Sequence, residues 1–141
     1  MKNSQDIKIG ILGLGVVGSG VAKLLLDGRE ELSTIAGKQL TLKKILVANI
    51  SKSRSINISK NIITDNPDDI LNDPEISIIV EVMGKNDPAQ QYISRALTSG
   101  KDVVTANKEV MAKHGAELLE QAESHGRELL FEASVGGGIP I

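Results

Sequence analysis

At 141 residues, with 40% hydrophobic and 24% charged side chains, the chain has the make-up of one folded domain, large enough to bury a core. A net charge of -2 provides no basic field for nucleic acid or an anionic membrane, and Tyr92 and Phe131, the only aromatics, cannot build a base-stacking platform. The absence of cysteine excludes disulfides, thiol nucleophiles and thiolate metal sites, and with no signal peptide or span-length apolar run a cytoplasmic protein is expected.

Ile7, Ile9, Ile11 and Leu12 make a buried strand that breaks into Gly13-Leu14-Gly15-Val16-Val17-Gly18. Val17, Val21, Leu24 and Leu25 then recur at i, i+4, i+7 and i+8, the apolar face of a helix. A strand, the spacing G-x-G-x-x-G and a helix together form the fingerprint of a dinucleotide-binding turn. Its first glycine permits the tight turn, its second lets the backbone approach a pyrophosphate, and its third lets helix and strand pack closely. Gly13, Gly15, Val16, Val17 and Gly18 are therefore candidate cofactor contacts, with a plain glycine-rich turn as the alternative.

Asp27 to Gln39 is polar and, with Gly28 and Gly37 as interruptions, is expected to be a loop. Leu40 to Asn49 reads as the second strand and Ser51 to Lys60 as an exposed loop carrying Lys52, Arg54 and Lys60. A short third strand is expected near Ile62 to Thr64. Pro67 and Pro74 bracket a brief helix containing Ile70 and Leu71. Ile76 to Met83 is nearly continuous in Ile and Val, as in a strand buried on both faces of a parallel sheet, and Gly84 ends it. A helix from Pro88 to Ser99 closed by Gly100, a strand from Asp102 to Thr105, a helix from Lys108 to His125 and a strand from Glu128 to Ala133 complete the chain. Alternating strands and helices indicate an α/β fold, a single Rossmann-like domain with a doubly wound, mostly parallel sheet.

The end of the second strand is where such folds place a carboxylate for the ribose of NAD, or a base for the 2'-phosphate of NADP. Here Ala48-Asn49 stands there with no carboxylate, and Asn49 can bond a hydroxyl without repelling a phosphate. Lys52 and Arg54 follow closely enough to pair with that phosphate, or are solvated surface charges. The expectation is that NADP binds at least as tightly as NAD. Glu81 interrupts an apolar strand and faces either a polar cleft or, the reading preferred here, buried hydrogen-bond partners. Met83 and Gly84 fall at the mouth of the expected cleft, where they would border the ribose or nicotinamide side.

Thr105-Ala106-Asn107-Lys108 joins the fifth strand to a helix, where the nicotinamide end is expected. Lys108 there could orient cofactor or substrate and polarise a carbonyl; alternatively Asn107 is a simple N-cap and Lys108 an exposed first-turn residue. A cation in a first helical turn opposes the helix dipole, which favours a purpose for it. His114 and His125 have no companions at metal-ligand spacing and are assigned to no chemistry. Glu132 precedes Gly136-Gly137-Gly138, a turn able to cup an ion or to act as a hinge.

Four segments, in order, resemble homoserine dehydrogenase: Gly13 to Val21, Val80-Glu81-Val82-Met83-Gly84, Thr105-Ala106-Asn107-Lys108, and Glu132-Ala133-Ser134-Val135-Gly136-Gly137-Gly138-Ile139-Pro140. The resemblance implies hydride transfer between a nicotinamide cofactor, NADP or NAD, and an amino-acid substrate, interconverting L-homoserine and L-aspartate 4-semialdehyde. It also implies a catalytic Lys108 and a monovalent cation such as sodium held by Glu132, Val135, Gly137 and Ile139. Residues 1–141 would be the dinucleotide-binding domain of a homo-oligomeric enzyme whose substrate and dimerisation region, with its acid/base lysine, follows residue 141. Many members of that family carry Arg-Asp where Ala48-Asn49 stands here. Another nicotinamide-dependent amino-acid or sugar dehydrogenase, or a stand-alone nucleotide-sensing module, are the competing readings.

Overall fold

The computed structural model describes residues 6–52, 54 and 57–132. Six strands, β1 (Asp6–Leu12), β2 (Gln39–Leu46), β3 (Ile63–Thr64), β4 (Ile76–Glu81), β5 (Asp102–Thr105) and β6 (Leu129–Phe131), form one sheet in the order β3-β2-β1-β4-β5-β6. Every pairing is parallel. The helices are α1 (Val16–Asp27), α2 (Arg29–Ala36), α3 (Asp68–Leu71), α4 (Ala89–Thr98) and α5 (Lys108–Ser124), with a 3-10 turn at Lys60–Ile62.

The chain runs outward from β1 to β3, then returns to place β4 on the other side of β1. Because parallel crossovers are right-handed, this reversal sends the helices of the two halves to opposite faces. Two apolar clusters reflect it. Ile9, Ile11, Leu42, Ile45 and Val80 pack with Val21, Ala22 and Leu25 of α1. Leu12, Ile79 and Val103 pack with Ile70 and Leu71 of α3, Ile93 and Leu97 of α4 and Leu118 of α5. Each fully buried Ile or Leu contributes about 2 kcal/mol of transfer free energy. Gly10 faces the second cluster, where a β-carbon would stand 2.7 Å from Ile70 Cγ2, so the strand cannot accept a side chain there without displacing α3.

The stretch from Asp27 to Gln39 is not the expected loop, because α2 occupies most of it. Its glycines mark helix ends rather than interruptions: the Gly28 N–H bonds the Leu24 carbonyl at the end of α1, and Gly37 closes α2 with φ of 74°. No residue of α2 is fully buried, so it lacks the apolar stripe by which a helix is read. Glu30 and Glu31 in its first turn favour it electrostatically, and Arg29 Nε donates to the Leu40 carbonyl at 3.1 Å.

Three strands are shorter than expected. β2 ends at Leu46, although the Val47 N–H still bonds the Thr64 carbonyl at 2.8 Å. β4 ends at Glu81, with the Val82 N–H bonded to the Leu12 carbonyl at 3.0 Å. β6 covers Leu129–Phe131, and the expected end at Ala133 lies outside the described residues. Gly100 falls one place beyond the C-cap Ser99, with φ of 91°.

The end of the sheet opposite the glycine turn carries a charged seam. Lys43 Nζ lies 2.6 Å from Asp73 and 2.9 Å from Glu75, and Lys8 lies 3.8 Å from Glu75. Hydrogen bonds to Asp73 and Glu75 raise the Lys43 pKa above its ordinary value. Burial works to raise that of Asp73, but hydrogen bonds from Lys43 and the Glu75 N–H outweigh it and hold the carboxyl below the usual range; the Lys43 hydrogen bond does the same for Glu75. Lys101 is 3% exposed and donates to the carbonyls of Asp73 at 2.5 Å and Ile76 at 2.7 Å. Burial lowers its pKa.

Candidate functional site

The reversal of strand order between β1 and β4 opens a crevice beyond their carboxyl ends, the place where open α/β sheets bind ligands. The glycine turn fills the β1 side of it. Gly13 has φ of 108°, and a β-carbon there would stand 2.9 Å from the Val82 carbonyl oxygen. At Gly18 the added atom would stand 2.2 Å from the Gly13 carbonyl oxygen. Neither position has space for a side chain. Gly15, by contrast, has nothing within 4 Å of its virtual β-carbon.

Gly15 is also the N-cap of α1, with no side-chain cap and no acidic residue in the first turn. The first amides of this helix therefore lack the side-chain acceptor that normally satisfies them, and they point to where an anion would lie. Val16 is 90% exposed and Val17 half-buried beside them. A closely packed turn with one open face, at an uncapped and acid-free helix start, fits the pyrophosphate of a dinucleotide.

At the β2 side, Ala48, Asn49 and Lys52 are exposed and lie past the strand. Asn49 Oδ1 accepts from the Ser51 N–H at 2.9 Å, an Asx turn that leaves its amide nitrogen as the outward donor. Arg54 is folded back onto this turn, donating to the carbonyls of Asn49 and Lys52, each at 2.9 Å. Lys52, Arg54 and Lys60 line one shallow cavity of about 380 Å3 together with Ser51 and Asn57. The sequence reading singled out Lys52 and Arg54 but gave Lys60 no role. The recurrence of bases on both sides of the 51–60 loop was the available signal.

On the other side of the crevice, Glu81 is fully buried, as preferred from the sequence. Parallel register sets it beside Thr105, whose hydroxyl donates to Oε1 at 2.5 Å. Oε2 accepts from the Met83 N–H at 2.9 Å and from Asn107 Nδ2 at 3.3 Å. Asn107 is the N-cap of α5, its Oδ1 accepting from the Val110 N–H at 3.1 Å, and its Nδ2 also donates to the Lys85 carbonyl at 2.7 Å. The Asn107 N–H in turn bonds Thr105 Oγ1 at 3.0 Å. This network joins the ends of β4 and β5, the loop at Met83 and Gly84, and the start of α5. The sequence reading had the residues separately but not their convergence.

Lys108 is the first residue of α5, exposed, and lines an open apolar hollow of about 730 Å3 with Glu109, Met111, Ala112 and Phe131. Glu132 is exposed beside it in sequence, its N–H bonded to the Thr105 carbonyl at 2.9 Å. Val135, Gly137 and Ile139 lie outside the described residues. Among the described residues no group of three His, Asp or Glu could hold a metal, and no helix is long and apolar enough to cross a membrane. His125 is the C-cap of α5, and His114 lies 3.6 Å from Glu117 on the same helix.

The Bacillus subtilis homoserine dehydrogenase is 44% identical over 137 residues, covering 97% of this chain and 32% of its own length. Among solved structures, the Staphylococcus aureus homoserine dehydrogenase at pH 7.5 superposes with a TM-score of 0.85 at 43% identity, over 92% of this chain and 34% of that one. The Thiobacillus denitrificans enzyme does so with a TM-score of 0.84 at 38% identity, over 92% of this chain and 30% of that one. The chain thus spans about a third of the length of the curated relatives it matches. The family model described as "Homoserine dehydrogenase, NAD binding domain" matches residues 13–132, from the first glycine of the turn to the end of the described residues. The chain belongs to that family and corresponds to its NAD-binding domain.

Proposed function

We propose that this domain serves a homoserine dehydrogenase that interconverts L-homoserine and L-aspartate 4-semialdehyde, and that it takes NADP at least as tightly as NAD. The observation that carries the activity is the family match over residues 13–132 together with Lys108 standing exposed at the end of β5. A bound nicotinamide dinucleotide supplies or accepts the hydride. The uncapped start of α1 receives its pyrophosphate, with Gly13, Gly15 and Gly18 allowing close approach and Val16 and Val17 flanking it. Met83, Gly84 and Thr105 border its nicotinamide side. The Lys108 ammonium would stabilise negative charge on the substrate oxygen.

For the adenosine end, the supporting observation is the cavity carrying Lys52, Arg54 and Lys60 with no carboxylate on its rim. Holding Arg54 against two carbonyls pre-positions its guanidinium, and Asn49 offers an amide without repelling a phosphate. Ala48 leaves the approach unobstructed by a longer side chain.

The rest of the reading concerns the parts of the relatives that this chain does not span. Substrate carboxylate and amine recognition, the proton donor and the homo-oligomer contacts belong to them. Glu132 would hold a monovalent cation such as sodium with Val135, Gly137 and Ile139. Homoserine-dependent reduction of NADP by the full-length protein tests the activity; Lys108→Ala is expected to lower turnover by about a hundredfold, and unchanged turnover would remove Lys108 from the mechanism. Calorimetric titration with NADP and NAD at one salt concentration tests the preference, which clearly tighter NAD binding would refute. Asn49→Asp is expected to weaken NADP selectively.

A further inference from the structure

Glu81 is a buried carboxylate at 0% exposure that forms no ion pair among the described residues; its oxygens are held by neutral donors alone, from Thr105, Met83 and Asn107. A buried charge without a cation is expensive, and replacing it by an apolar residue would ordinarily favour the fold. Here its donors come from two separate segments on the β4 side of the ligand crevice, the loop after β4 and the junction of β5 with α5. Met83 belongs to the loop after β4, which meets the glycine turn where Val82 and Met83 crowd Gly13. Asn107 belongs to the start of α5, and its amide also grips the Lys85 carbonyl of that same loop. The carboxylate and the amide together hold the 83–85 loop and the Lys108 end of α5 at a fixed separation.

We propose that Glu81 and Asn107 are positioning residues for the nicotinamide half of the cofactor. Glu81 fixes the Asn107 amide and the Met83 backbone, and Asn107 fixes the 83–85 loop relative to Lys108, so that the two walls bordering the nicotinamide ring are set before it binds. The proposal rests on the reading of the β4 and β5 ends as the nicotinamide side. Neither residue need touch the cofactor for this role. Among the described residues, none of α1 or the 49–60 loop, proposed to carry the adenosine half, has a hydrogen bond to the Asn107 amide.

Asn107→Ser separates positioning from capping, because serine keeps an N-cap acceptor for the Val110 N–H but is too short to reach the Lys85 carbonyl and Glu81. Binding is measured calorimetrically in the full-length protein with NADH and with ADP-ribose, which lacks the nicotinamide. The expected result is about a tenfold loss of NADH affinity, corresponding to two hydrogen bonds, with ADP-ribose affinity unchanged within about twofold. Equal losses for both ligands, or no loss for either, overturn the proposal by reducing the network to a structural role. Glu81→Gln, which keeps the volume and removes the charge, is expected to shift the same ratio in the same direction and serves should the serine variant fold poorly. A wild-type protein in which NADH binds no more tightly than ADP-ribose overturns the reading of the nicotinamide side, and the proposal with it.

Discussion

Two helices begin at the same edge of the sheet, α1 after β1 and α5 after β5, and they meet that edge in opposite ways. α1 starts on Gly15, which offers its amides nothing, whereas α5 starts on Asn107, whose side chain takes one amide and is itself held by Glu81 and Lys85. A helix start that no side chain caps is stabilised when an anion binds it. α2 and α4 also start without a side-chain cap, so what sets α1 apart is the glycine turn that opens its start to the crevice. α5 is capped by its own Asn107, and the group proposed to act there is the Lys108 side chain rather than the helix dipole.

The contrast breaks most completely at Gly18. Gly18→Ala places a methyl group 2.2 Å from the Gly13 carbonyl oxygen, far inside van der Waals contact, and destabilisation of about 3 kcal/mol is expected, with loss of dinucleotide binding. Urea unfolding and NADH titration check it, and a stable, binding-competent variant would show that the turn can open. Exchanging the capping states of the two helices is the sharper experiment. Asn107→Ala should cost about 2 kcal/mol through the lost cap and the unpaired Lys85 carbonyl. Gly15→Asp has open space and an ordinary φ of -84°, so it should leave stability unchanged or slightly higher while weakening NADH by at least about tenfold, as its carboxylate occupies the anion position. Equal effects on stability and binding at both sites would dissolve the distinction.

The smallest effect concerns neither helix start. Asp73 and Glu75 have depressed pKa values in the fold, so their contribution is present above the ordinary carboxylate range and is lost as pH falls through about 4 and below. Lys43→Met removes the largest cause of depression for both and should flatten that acid limb, without altering NADH affinity at neutral pH. Acid denaturation curves of the two proteins decide it.

The two helix starts also differ in how far they could be read from sequence. Gly13 and Gly18 announce themselves because a turn this tight admits no other residue at either, and that constraint is local. The alternation of strand and helix likewise fixes the sheet, since the period of burial is written along the chain. The Glu81 network depends on the register that sets Glu81 beside Thr105 and on a loop carbonyl at Lys85, neither of which leaves a mark on residue type. α2 went unread for a related reason. It buries almost nothing, so it has no stripe, and its flanking glycines look like breaks until their cap geometry is known. Lys101 resembles any surface lysine in sequence, yet it is buried with its ammonium bonded to the carbonyls of Asp73, in the turn before β4, and Ile76, the first residue of β4.

That lysine and the charged seam around it lie at the far end of the strands from every residue proposed to meet the cofactor. Strand polarity thus separates what the domain must keep from what it can change. If the 49–60 loop holds the adenosine end as proposed, cofactor preference would be open to redesign there while the ion pairs that anchor the sheet, a strand's length away, remain as they are.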